Sequence, residues 1–146
     1  RYVDAGCESV AIHVEAPDQH RATLDAIRDS GGRAGLALDP ETPIESLASF
    51  SDALDFALVM TVKSGFGGQP YRPEAAARMA AIRALVGERD GHPLPLHVDG
   101  GINATTAGDA AAAGADLLVV GSALFSAQGP TGMGEAVRAI RESATR

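Results

Sequence analysis

The chain has 146 residues, 45% of them hydrophobic and 21% charged, and a formal net charge of −7. One ordinary domain is expected, and the charge argues against a nucleic-acid partner, because no basic patch exists to displace phosphate counterions. The lone Cys7 permits no internal disulfide, and no apolar run approaches the ~20 residues of a membrane-spanning helix, so a soluble, cytoplasmic protein is expected, with Cys7 packed as a small apolar residue.

"RYVDAG" (1–6) reads as the last turn of a helix, starting at Arg1 and placing Gly6 at its C′ position. "SVAIHV" (9–14) reads as the first strand. His13 and Glu15 share a face at its end, and are expected to pack at the core or rim, two ligands being too few for a metal. Asp18 can cap a helix that carries Leu24 and Ile27 and stops at Gly31-Gly32. "RAGLAL" (33–38) is the second strand. Thr42-Pro43-Ile44-Glu45 then has the form of a capping box with proline at the first helical position, placing Leu47 and Ala48 on the face of Ile44.

"DFALVM" (55–60), the third strand, runs into "TVKSGFGGQPYR", a loop of about a dozen residues where about two to six are usual. Pro73 opens a helix with Met79, Ile82 and Val86 on one stripe before Gly87. "LPLHVD" (94–99) ends on Asp99 and leads into "DGGIN", where Asn103 can cap an alanine-rich helix ending at Gly114. "DLLVV" (116–120) precedes "GSALFS", and Met133, Val137 and Ile140 mark the last helix.

Strands that are apolar almost throughout, alternating with helices, imply βαβ units and a parallel sheet buried on both faces. Five of them fit an open doubly wound sheet or part of a (β/α)₈ barrel. The absence of a G-x-G-x-x-G fingerprint weakens the first option. In both, ligands gather at the carboxyl ends of the strands. Three such ends carry glycines here: Gly65, Gly67 and Gly68; Gly100 and Gly101; and Gly121 before Ser122. A ring of backbone N–H groups without side chains suits a phosphate monoester. Asp99 ends a strand on the same face as His97, and is the strongest candidate for an acid/base or a metal ligand. His97 is expected to be a packed strand residue and Lys63 an exposed loop lysine. Met60 reads equally as core or as a flexible cap over the pocket.

"IHVEA", "LALDPETPIESL", "DFALVMTVKSGFGGQPY", "LHVDGGIN" and "AGADLLVVGSALF" resemble, in order and spacing, the later part of the ribulose-phosphate 3-epimerases. The resemblance covers essentially the whole chain, and "MTVxxGFGGQ" followed by "VDGG" and "GSA" is its specific part. It implies a (β/α)₈ (TIM) barrel, here a single domain over residues 1–146 forming a partial barrel of about five βα units. It further implies an isomerase of the pentose phosphate pathway, which removes and returns the C3 proton of ribulose 5-phosphate and xylulose 5-phosphate through an enediolate. Two aspartates serve as acid and base in that family. A divalent metal polarises the oxygens, zinc foremost, with iron, manganese or cobalt as alternatives. Carried over by position, Asp99 resembles both a metal ligand and one of the acid/base pair. Gly65, Phe66, Gly67 and Gly68 resemble the loop that closes on phosphate. Gly100, Gly101, Gly121 and Ser122 resemble the rest of the cradle, and Met60 a residue covering the enediolate.

Two departures stand out. Lys63-Ser64 occupies the place where the family usually has an acidic residue and a proline. That change frees the loop's entry, adds positive charge near the phosphate, and keeps a hexulose phosphate such as allulose 6-phosphate open as substrate. In addition, nothing here matches the family's second aspartate or its two histidine ligands. The first three barrel strands are therefore expected to be missing, and the chain to be inactive alone. An unpaired edge at the first strand would favour homo-oligomers. A non-catalytic phosphate-binding partial barrel is the rival reading of another class. Other phosphate-binding barrels, of thiamine-phosphate or tryptophan-pathway type, fit the glycine cradle but poorly fit "MTVxxGFGGQ".

Overall fold

The apolar runs form five strands in the computed structural model, which describes residues 2–17, 19–89 and 91–145. They are β1 (Ser9–His13), β2 (Arg33–Leu38), β3 (Phe56–Met60), β4 (Leu96–Asp99) and β5 (Leu117–Val119). All pair in parallel, and their order in the sheet is their order in the chain. A sheet without a reversal of strand order has no topological switch point, which marks it as a barrel segment rather than a doubly wound sheet. The connections carry α1 (His20–Asp29), a 3₁₀ helix (Ile44–Ala53), α2 (Ala75–Val86), α3 (Ala107–Ala112), α4 (Ser122–Phe125) and α5 (Gly129–Ala144). Five βα units result, as expected. Among the described residues, no helix is long and apolar enough to cross a membrane.

The pleat divides each strand between two environments. On the helix-covered face, Ala34, Leu36, Leu38, Ala57, Val59, Leu96 and Val98 are fully buried. They pack with Leu24 of α1, Leu47 of the 3₁₀ helix, Met79 and Ile82 of α2, Ala107 and Ala110 of α3, and Ile140 of α5. The opposite face is the barrel interior, where Gly35 stands in register with Phe56. A Cβ on Gly35 would lie 2.4 Å from the Phe56 ring, so only glycine lets that ring settle on the strand. The ring also stacks on His97, centroids 4.2 Å apart. His97 is thus the packed strand residue anticipated. Burial, reinforced by the charge of Arg33, depresses its pKa against the opposing pull of Asp116, so it is neutral at pH 7.

At the amino ends of the strands, carboxylates finish the ladder. Asp55 accepts the Ala34 N–H at 2.9 Å, and Asp116 accepts the Leu96 N–H at 2.8 Å. Each acid directly precedes a strand and satisfies a donor at the start of its neighbour, a group that strand pairing leaves over at the sheet's end.

Several sequence expectations hold in detail and several do not. Gly6 is a C′ residue: at φ +98°, its N–H bonds Val3 O (2.8 Å) while the Cys7 N–H bonds Tyr2 O (3.0 Å), the Schellman pattern. Cys7, the residue after that turn, is exposed rather than packed. The expected helical start at Arg1 and the Asp18 cap lie outside the described residues, and Gln19 stands at the N-cap of α1. No capping box forms at Thr42, because its hydroxyl donates to Glu15 on a neighbouring loop. The helix that follows is 3₁₀, and three residues per turn put Ile44, Leu47 and Phe50 on the core side while Ala48 turns outward. Asn103 acts one turn early: its Oδ1 accepts the Thr105 N–H at 2.8 Å, and Thr106 is the N-cap of α3.

The Gly35–Phe56 contact yields a stability prediction. Gly35→Ala overpacks the interior and should cost about 1–3 kcal/mol in urea unfolding. The same substitution should cost measurably less in a Phe56→Leu background. Equal costs in the two backgrounds would show that the ring does not occupy that space.

Candidate active site

Register decides what meets at the carboxyl rim of the sheet. Met60 pairs with Asp99, Asp99 with Val119, and His13 with Ala37. These ends and their loops enclose a cleft of about 410 Å³. Asp99, Met60, Gly65, Phe66, Gly67, Gly68, Gly100, Gly101, Gly121 and Ser122 all line it, so the structure gathers every sequence candidate in one place. His13 and Lys63 line it as well.

Asp99 is half-buried, and burial raises its carboxyl pKa, with the Gly100 N–H and the charge of His13 pulling partly back. A carboxylate so raised is a stronger base than an exposed aspartate. The two glycines after it are fixed by space as well as conformation. Gly100 has φ +115° and would set a Cβ 2.6 Å from Thr61 Oγ1; Gly101 has φ +61° and would set one 2.2 Å from the Tyr71 nitrogen. The buried Thr61 hydroxyl donates to Gly100 O at 2.6 Å, locking the chain as it leaves β4. Met60 resolves between its two readings as a floor residue. It is 7% exposed and lines the cleft on the interior face of β3.

The glycine-rich loop is built differently. A Cβ on Gly65, Gly67 or Gly68 would meet nothing within 4 Å, and Phe66 is 82% exposed. Here glycine answers to backbone shape, with φ +111° at Gly65 and +76° at Gly68, not to crowding. Gln69 folds back to donate to Lys63 O (2.7 Å) and Phe66 O (2.8 Å), closing the loop on itself. Gly121 is equally uncrowded, at the N-cap of α4.

A second group of polar side chains stands beside the cleft. His13 Nδ1 is 3.1 Å from Glu15 Oε2, while Glu15 Oε1 accepts the Asp39 N–H at 2.8 Å and the Thr42 hydroxyl. Burial alone would raise the Glu15 pKa, but the hydrogen bonds from Thr42, Asp39 and His13 outweigh it, and the net shift is downward from 4.5. The sequence reading assigned His13 and Glu15 to packing and passed over Asp39. The available signal was an acid one residue beyond β2, at the same rim as Asp99.

A model of the ribulose-phosphate 3 epimerase family matches residues 1–125. The chain belongs to that family. It is 40% identical over 146 residues to the ribulose-phosphate 3-epimerase of Rhodobacter capsulatus, covering 98% of this chain and 62% of that one. To the Escherichia coli K12 ribulose-phosphate 3-epimerase it is 39% identical over 124 residues, 85% of this chain and 55% of the relative. The chain thus spans roughly three-fifths of the length of these epimerases. The solved structure of 3-hexulose-6-phosphate synthase from Salmonella typhimurium shares the fold, with a TM-score of 0.70 at 19% identity over 98% of this chain and 64% of that one.

The divalent metal expected from the epimerase resemblance needs three or four protein ligands. Among the described residues, Asp99 belongs to no group of three potential ligands. The group that does converge is His13, Glu15 and Asp39, with ligand atoms within 4.8 Å of one another. Its carboxylates are already engaged by Thr42, Ser64, His13 and the backbone of Asp39. These residues do not by themselves build a metal centre around Asp99.

Glu15 carries a pH-dependent contribution to stability. Its folded-state pKa is depressed, so the stabilisation is present above the ordinary carboxyl pKa and is lost as pH falls through the folded value. Glu15→Gln should therefore lower stability by about 1 kcal/mol at pH 7. The gap between the urea midpoints of the two proteins should close in acid, and a gap constant with pH would contradict the assignment.

Proposed function

We propose that this chain supplies the phosphate cradle and one acid/base carboxylate of a ketose-phosphate 3-epimerase, interconverting D-ribulose 5-phosphate and D-xylulose 5-phosphate. The observation that carries the reading is Asp99: a half-buried carboxylate of raised pKa, lining a cleft whose rim carries Gly65, Gly67, Gly68 and Gly121. Family membership supports the reaction class. Amides of Gly65, Gly67, Gly68 and Gly121 bind the phosphate dianion without help from the protein's net charge, and Lys63 adds a cation at the same rim.

With the phosphate held there, Asp99 takes the proton from C3. The C–H electron pair moves into the C2–C3 bond and the carbonyl oxygen at C2 takes up the charge, giving an enediolate. A proton returned to the other face of C3 inverts that centre and restores the carbonyl. Asp99 supplies one face. We assign the second acid/base group, and the further ligands of a divalent metal held in part by Asp99, to the share of the family's length that this chain does not span. Met60 and the rigid backbone at Gly100 and Gly101 keep the enediolate in place and away from water.

In the intact protein, Asp99→Asn should lower kcat for ribulose 5-phosphate by about 10²–10⁴-fold. Solvent deuterium incorporation at C3 should fall in parallel. Undiminished turnover would remove Asp99 from the chemistry, and preferential turnover of allulose 6-phosphate would reassign the substrate to a hexulose. Because burial raises the Asp99 pKa from 3.8, the acidic limb of kcat/KM should lie above that value. A limb at or below it would contradict the buried base.

A further inference from the structure

We propose that Asp39 is the positioning residue of the glycine-rich loop, clamping its entry through Ser64. The functional consequence rests on the phosphate reading above; the clamp itself rests on geometry alone.

Asp39 follows β2 and is held at every polar group it owns. Its N–H donates to Glu15 Oε1 at 2.8 Å. Its carbonyl oxygen accepts from Arg78 Nη2 of α2 at 2.9 Å. Its carboxylate takes two bonds from one residue: the Ser64 N–H on Oδ1 and the Ser64 hydroxyl on Oδ2, both at 3.1 Å. With its N–H held by Glu15 and its C=O by Arg78 and the Thr42 N–H, the backbone of residue 39 cannot rotate without breaking a bond. The carboxylate is therefore a fixed post that accepts from both donors of Ser64, its N–H and its hydroxyl.

Ser64 is the residue directly before Gly65, where φ turns positive. From Gly65 to Gly68 the loop has almost nothing to lean on, and its exit rests at Pro70 and Tyr71, which lie against Gly101. Glycines 65, 67 and 68 stand in open space and Phe66 points into solvent. The other anchor, Gln69, bonds only to Lys63 O and Phe66 O, carbonyls within the same loop. It fixes the loop's shape but not its location. A segment with internal closure and no packing of its own takes its position from its two ends: Pro70 and Tyr71 hold the exit against Gly101, and the Asp39–Ser64 pair is the side-chain attachment at the entry. Glu15 carries the restraint on to His13 in the cleft wall, so loop and wall are referred to one frame.

The test compares Asp39→Ala, Asp39→Asn and Ser64→Ala in the intact protein. It reads amide hydrogen exchange of residues 64–69 without substrate, and the affinity for inorganic phosphate. Asp39→Ala should speed exchange in the loop by about tenfold or more, the order expected for losing hydrogen bonds to a charged group. Exchange in β2 and β3 should stay near the parent rate. Asp39→Asn, which keeps an oxygen for the Ser64 N–H, should recover most of the protection, and Ser64→Ala should lose an intermediate share. Phosphate binding should weaken by about tenfold in Asp39→Ala, with KM for the ketose phosphate rising more than kcat falls.

Loop exchange unchanged in Asp39→Ala would overturn the clamp, whatever phosphate does. Acceleration spread evenly over β2 and β3 would also overturn it, reducing Asp39 to a structural residue. Faster loop exchange in a protein whose parent does not bind phosphate would uphold the clamp and refute the phosphate reading instead.

Discussion

Because β3, β4 and β5 run parallel in unbroken chain order, with Met60 beside Asp99 and Asp99 beside Val119, their interior-facing side chains end together at one rim. Everything proposed for the cleft depends on that alignment. A slip of one residue in β4 would turn Asp99 into the helix-covered layer and Val98 into the cleft. The register is protected from both faces. Val98 and Leu96 are locked among the helices, while His97 is held against Phe56, which itself needs the missing Cβ of Gly35. The opposite end of the sheet, closed by Asp55 and Asp116, sets where the strands begin and hence where they finish.

The two glycine segments show one residue type meeting two different physical demands. At 100 and 101, glycine is required because Thr61 and Tyr71 already fill the space, so the backbone after Asp99 is rigid. At 65, 67 and 68, nothing lies within 4 Å of where a Cβ would stand. Within the proposed function this divides the work: the rigid backbone beside Asp99 serves proton transfer, and the open glycines serve phosphate. Proton transfer needs fixed distances, and the glycine loop is held at its entry by Asp39 rather than by packing along its length.

Much of this was legible in the sequence where the cause is local. Strands buried on both faces need unbroken apolar runs, and these were visible from "SVAIHV" to "DLLVV". Helix ends at Gly31, Gly87 and Gly114 were visible because each glycine takes a positive φ that other residues avoid. Asp99 stood out because it closes a strand immediately before a glycine pair. What stayed hidden depends on partners far along the chain. Thr42 looks like a helix cap until Glu15, on another loop, takes its hydroxyl. Residues 44–53 carry a helical pattern, but local sequence does not separate α from 3₁₀ winding. Asp39 looks like an ordinary loop acid, and its partner Ser64 lies 25 positions away. Ser64 itself registered only as a departure from a familiar motif, with no hint of what it bonds.

The parallel pairing also has a consequence in time. Met60 and its neighbours on β3 leave the ribosome before β4, with the loop, α2 and the antiparallel pair Glu88–Arg89 and His92–Pro93 between them. At the roughly 5–20 residues per second of synthesis, the glycine loop and the free edge of β3 wait for some seconds before Asp99 arrives. Through that interval the nascent chain offers unpaired strand backbone beside half-formed apolar layers, the condition under which misassembly begins. The candidate site is thus late to assemble, and its residues depend on the fidelity of a folding step in which none of the earlier strands takes part alone.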